Sequence, residues 1–342
     1  MSDTSPDTSP NLDKGWGRLE EGDFVGARQL AEREMRDDPE SPEAMLLLAA
    51  CFRGEGESER ALGLLEKASQ ADEEWGAPAQ WMAEILAEDL GRPAEALKYA
   101  AVALDRAEEE DEFLNAVVLK AGLEIQLGKV KAAQVTLAEL PPAGEVQLPA
   151  DLSLDLAYLF LEADVPVEAE QRFRTLADAE PSDAEAWYGL GMCAEDKGDE
   201  TAKREAWLRV LALDGDAALQ DPHMSEAEMA EVAEQALREL PEAAHKLITN
   251  VPILIVDLPA RAEIEQGMDP RLLGMFEGTA YSDGGAMGGA PQVTRILLFR
   301  KNLERMAIDA EDLREQIRIT LLHETGHFFG MSEDDLAHVG LD

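Results

Sequence analysis

Positive charge is scarce in this chain: 30 Lys and Arg stand against 72 Asp and Glu over 342 residues, a formal net charge of −42. That balance argues against nucleic acid and anionic membrane as partners, since both require a cationic footprint. Cysteine is scarcer still. Cys51 and Cys193 lie far apart inside helical patterns and match no metal or redox spacing, so they read as two reduced core thiols. No apolar run approaches the roughly eighteen residues of a membrane span, and the longest apolar strand candidate, Val251 to Val256, is much shorter. The N-terminus, Met1 to Pro10, is rich in Ser, Thr, Asp and Pro and lacks the basic-then-apolar layout of a signal peptide. Residues 1–11 are therefore expected to be a disordered tail on a cytoplasmic protein. Histidine is rare as well, and two of the five histidines fall in a single pentapeptide near the C-terminus.

A periodic pattern fills residues 12–220. Gly22, Gly56, Gly91 and Gly128 each separate two apolar helical stretches, and five residues after each stands an alanine: Ala27, Ala61, Ala96 and Ala133. Successive alanines lie 34, 35 and 37 residues apart, and Ala169 follows 36 further on. Small side chains at a fixed period let paired helices approach closely, and a glycine between them accommodates the turn. Later in the array Ala169, Phe173 and Pro181 precede Trp187, Leu190 and Gly191, with Gly198 at the next turn. These positions resemble the A-x3-F…P and W-x2-L-G pattern of the tetratricopeptide repeat family, as do Gly15, Gly22, Ala27 and Pro39 in the first repeat. Arg18 and Glu124 depart from it, replacing the usual aromatic, and Leu140-Pro141-Pro142 ends one repeat early. About six hairpins are expected. The resemblance implies an α-helical solenoid whose groove takes a protein partner. Its inner helices are poor in Lys and Arg, so a cationic or apolar partner suits it better than a C-terminal carboxylate. Trp16, Trp75, Trp81, Trp187 and Trp207 are expected to pack inside or between repeats rather than line the groove.

The helical period breaks at Asp221-Pro222-His223, and a second domain is expected over residues 224–342. Ser225 with Glu228 three residues on reads as a capping box. Val251 to Leu258 and Val293 to Phe299 read as strands. Arg271 to Tyr281, with Gly274 and Gly278, reads as a turn-rich connector, and Ser282 to Pro291, with four glycines, as a loop. Asp309 is placed to cap a helix from Ala310 to about Phe329.

That last helix holds His323-Glu324-Thr325-Gly326-His327. HExxH on a helix puts two imidazoles on one face, one turn apart, where both can bind one zinc ion, with the Glu beside the metal-bound water. His323 and His327 are thus candidate metal ligands and Glu324 the candidate general base. A catalytic zinc needs a third protein ligand. The candidates after Gly330 are Glu333, Asp334, Asp335 and His338. Glu333 lies ten residues after His323, at the HExxHxxGxx-ligand spacing; Asp334 is the first alternative.

From Glu226 to the end the chain resembles the bacterial minimal zincin-like metallopeptidases. The resemblance rests on Leu240-Pro241 before the first strand, on Leu273 to Gly278, and on Ile296 to Arg300. It continues through Ile319 to Gly330 and closes on Leu336 and Gly340. It implies a small α+β zincin domain, zinc on His323 and His327, Glu324 as base, and Glu333 standing where an Asp is more usual. The expected function is zinc-dependent hydrolysis of a peptide or protein substrate, with Val293–Phe299 as the edge strand that holds it. The alternative is a non-catalytic interaction scaffold with a structural zinc. A third reading is self-masking, in which Arg295, Arg300, Lys301 and Arg305 dock on the acidic array.

Overall fold

In a computed structural model of the chain, residues 9–144, 148–240, 245, 248, 251–278, 293–329 and 331–332 are described. The chain divides into two compact units, Met1–Thr175 and Leu176–Asp342.

Helices α1 (Pro10–Glu20), α2 (Phe24–Asp37), α3 (Pro42–Gly54), α4 (Ser58–Ala71), α5 (Ala77–Glu84) and α6 (Pro93–Asp105) form three antiparallel hairpins. Helices α7 (Glu110–Gln126), α8 (Val130–Leu137), α9 (Ala150–Glu162), α10 (Pro166–Ala179), α11 (Ala184–Asp196) and α12 (Glu200–Asp216) form three more. The six hairpins match the expected number. Their starts are written locally. Pro10, Pro42 and Pro93 open helices where a missing N–H costs nothing, and Ser41, Asp183 and Asp199 cap theirs with side-chain oxygens. The periodic alanines Ala27, Ala61, Ala96, Ala133 and Ala169 are all fully buried, as their spacing required. The turn glycines Gly22, Gly56, Gly91, Gly128 and Gly198 all have positive φ, between +62° and +79°. The fifth hairpin has no glycine there. Asp164 takes the left-handed conformation instead, at φ 58°, a role for which a short polar side chain is second best.

Four of the five tryptophans pack as expected. Trp207 is 2% exposed, and Trp16, Trp75 and Trp81 lie against the first hydrophobic core. Gly191 is there for contact: a Cβ on it would fall 2.0 Å from Trp207 Nε1. Cys51 and Cys193 are buried and outside any disulfide, and burial pushes the Cys51 thiol up to about 11.

Beyond the array come α13 (Glu226–Arg238), β1 (Ile253–Val256), α14 (Arg261–Glu265) and β2 (Gly274–Gly278). They are followed by β3 (Val293–Phe299), α15 (Arg300–Met306) and α16 (Ala310–Phe328). The Ser225–Glu228 capping box forms as read from the sequence. The sheet order is β1-β3-β2, with β1 parallel and β2 antiparallel to β3. Ile296 and Leu298 of β3 join Met229, Ala233, Leu313, Ile317 and Leu321 in one core between the sheet, α13 and α16.

Two expectations are corrected by this sheet. Val293–Phe299 is the central strand, not an edge: Leu297 and Phe299 are buried along with Ile296 and Leu298, so β3 is covered on both faces. Gly274 to Gly278, expected in a connector, is a strand. Gly274 serves close packing rather than a turn, because a Cβ there would meet Thr320 Cγ2 of α16 at 2.7 Å.

Candidate metal centre

Helix α16 is fixed at its start by Asp309, whose carboxylate accepts from the backbone N–H groups of Glu311 and Asp312, both at 2.9 Å. Those two bonds hold the Asp309 carboxyl below its ordinary value. Leu313, Ile317 and Leu321, all fully buried, then fix the rotation of the helix against α13 and β3. With that face committed to the core, the positions one turn apart, 323 and 327, come together at the partly buried end of the helix.

His323 Nε2 and His327 Nε2 lie 2.9 Å apart, with ring centroids 4.5 Å apart and the rings inclined at 80°. His327 Nδ1 is 3.2 Å from the Met331 carbonyl oxygen. A carbonyl only accepts, so Nδ1 carries the proton and Nε2 presents its lone pair toward His323. Two ring nitrogens held this close share either a proton on His323 or a cation. A metal-binding imidazole whose other N–H is oriented by a backbone carbonyl has the arrangement seen here. The donor set therefore fits zinc. Among the described residues no group of three or more His, Cys, Asp and Glu gathers at one point. Glu333, Asp334, Asp335, His338, Tyr281, Gly330 and the loop Gly284–Gly289 lie outside the described residues.

Glu324, between the two histidines, is 8% exposed, and its Oε2 accepts from the Phe276 backbone N–H at 3.2 Å. A buried carboxylate needs such a donor. It comes from β2, which Gly274 allows to lie close against Thr320. Neither the Phe276 amide nor the Met331 carbonyl was found from sequence, since backbone groups leave no residue-type signature. The glycine at 274 is the available signal, although in sequence it points equally to a turn.

Three of the four residues of the basic cluster are already engaged. Arg295 forms a two-point ion pair with Glu277 across the β2–β3 ladder, at 2.6 and 2.9 Å. Lys301 Nζ donates to the carbonyls of Asp214, Gly215 and Ala217 at 3.0, 2.9 and 2.6 Å, closing the C-terminus of α12. Arg305 meets Asp214 Oδ1 at 2.6 Å. Two of the four residues proposed for self-masking thus do dock on the array, but as a seam with its last hairpin.

The described residues thus combine an array of helical hairpins with a small mixed-sheet region that carries an HExxH helix. Residues 248–341 match the family model of the zincin-like metallopeptidases, and residues 18–85 and 154–222 match tetratricopeptide repeat models. The chain therefore carries a zincin-like metallopeptidase domain at its C-terminal end, behind tetratricopeptide repeats. Among solved structures it is similar to pilF of Pseudomonas aeruginosa, at 20% identity, covering 60% of this chain and 91% of that one, with a TM-score of 0.49. YrrB, described as a TPR protein with an unusual peptide-binding site, is 17% identical, covering 54% and 93%, with a TM-score of 0.45. No curated protein matches the chain. Among the described residues, no helix is long and apolar enough to cross a membrane.

Proposed function

We propose that this protein is a zinc-dependent peptidase whose repeat array recruits a protein partner or substrate. The observation that supports it most is the convergence of His323 Nε2 and His327 Nε2 at 2.9 Å beside the buried Glu324 carboxylate. His323, His327 and a third donor, Glu333 or in its place Asp334, would hold the metal. Bound there, zinc supplies Lewis acidity, polarising a peptide carbonyl and making water a nucleophile near neutral pH.

The chain's own residues do the rest. The Phe276 N–H holds Glu324 Oε2 and so fixes the plane of the carboxylate. Glu324 accepts the proton of the attacking water and returns it to the leaving amine, a task worth roughly 10²- to 10⁴-fold in rate. The Met331 carbonyl keeps the His327 proton on Nδ1, so that Nε2 presents its lone pair to the metal. The substrate is held in extended form along the sheet edge. Among the described residues that edge is β2, the outer strand on the Glu324 side, in place of the β3 expected from sequence.

The deciding experiment measures metal content and cleavage of a peptide library with the purified full chain. Stoichiometric zinc and a turnover that Glu324→Gln removes support the proposal. Absence of bound metal overturns it. Stoichiometric zinc without turnover, with unfolding on chelation, selects the non-catalytic scaffold instead.

A further inference from the structure

The unit that begins at Leu176 contains α11 and α12 together with the whole metal-site domain. Its interior joins them through one buried carboxylate. Asp214, near the end of α12, is 4% exposed and lies against Arg305 Nη2 at 2.6 Å and Arg271 Nε at 3.5 Å. A charge this deep is retained only when paired. Arg271 also meets Glu185 of α11 at 2.6 Å and stacks over the Tyr188 ring at 4.5 Å. Tyr188 Oη in turn donates to Asp269 at 2.8 Å.

The stripe of α11 involved is its outer one. Glu185 and Tyr188 are three residues apart, on the side opposite Ala186, Leu190 and Cys193, which are buried. The loop 269–271 of the metal-site domain occupies this stripe. That loop leads directly into β2. Asn302 Nδ2 pins its next carbonyls, donating to Pro270 O at 2.9 Å and Leu272 O at 2.7 Å. Only four residues separate Arg271 from Phe276, whose amide holds Glu324.

We propose that Arg271 is a positioning residue for the site. It anchors β2 to the last repeat hairpin, and this hairpin works as part of the metallopeptidase unit rather than as partner-binding surface. The effect on turnover rests on the peptidase reading above; the mechanical link does not.

The test uses the full chain with Arg271→Met and Arg271→Lys. Amide hydrogen exchange at Phe276, measured without added metal, is expected to quicken by about tenfold or more in Arg271→Met and to recover in part in Arg271→Lys. Zinc binding stays stoichiometric. With a cleaved peptide, kcat falls by about tenfold while KM stays within about twofold, the mark of lost alignment rather than lost binding. A folded Arg271→Met variant with unchanged Phe276 exchange overturns the proposal. If that variant does not fold, Tyr188→Phe combined with Glu185→Gln leaves the Asp214 pair intact. It should raise Phe276 exchange by about threefold, and no change there overturns the proposal equally. A wild-type chain that cleaves nothing refutes the peptidase reading, while the exchange measurement still decides this one.

Discussion

In the first hairpins, every helix packs on the helices next to it in sequence, and the alanines at the crossings recur every 34 to 37 residues. In the zincin-like domain the decisive contacts reach much further along the chain. The Phe276 amide meets Glu324 across 48 residues, and Glu304 accepts the His223 amide across 81. An array of nearest-neighbour contacts loses stability locally when one is broken. A small three-stranded sheet under two helices has no such redundancy. The two regions should therefore respond differently to equal insults, and the difference should be largest where the chemistry is.

The largest effect belongs to the proposed metal site. Glu324→Gln should lower turnover by roughly 10³-fold or more while leaving zinc binding and folding intact, since Gln keeps an oxygen for the Phe276 amide but cannot take a proton. Steady-state cleavage with metal analysis checks it. Next come two matched core truncations. Leu65 in the array and Ile317 in α16 are both fully buried, and cutting either to Ala should cost about 2–5 kcal/mol. Leu65→Ala should leave zinc affinity unchanged, because α4 shares no core with α16. Ile317→Ala should weaken it measurably, because the same packing sets the rotation of the histidines. Equal losses of affinity in the two variants would break the comparison.

The array was the more legible half in sequence, for the same reason that it is robust. Ala27 through Ala169 and the turn glycines report local geometry, and local geometry is what a residue pattern encodes. The approach of His323 to His327 beside Glu324 was legible too, because one helical turn fixes their spacing. What sequence left obscure was non-local. Gly274 looks the same whether it makes a turn or lets a strand press on Thr320, and only the packed domain decides. The continuous apolar run Ile296 to Phe299 did hold the information that β3 is central, since both faces of the strand are apolar. The seam at Asp214 was the least visible, because an Asp near a helix end is ordinary until two arginines from later in the chain enclose it.

A smaller and opposite effect distinguishes glycines within the array. Gly63, in α4, has open space where a Cβ would stand. Gly63→Ala should stabilise the chain by about 0.5–1 kcal/mol through helix propensity alone. Gly191→Ala should destabilise it, since Trp207 must move. Denaturant midpoints decide the signs.

The smallest effect concerns acid. Asp309 and Glu277 both have carboxyls held below their ordinary values, Asp309 by the amides of Asp312 and Glu311 and Glu277 by the Arg295 guanidinium. A folded-state pKa below the unfolded one means the folded form binds fewer protons. The stabilisation is therefore complete above the ordinary carboxylate range and is lost as pH falls through it toward the depressed values. Both groups serve the metal-site domain: one caps α16 and the other bridges β2 to β3. Acid should therefore loosen this domain in part through these two carboxylates. Asp309→Asn sharpens the point, because Asn caps a helix nearly as well and does not titrate. At neutral pH the variant should be close to wild type, and on acidification it should lose less of its stability. Amide exchange along α16, followed from neutral to acid pH, measures this directly; an acid response in Asp309→Asn equal to that of wild type would show that the cap plays no part.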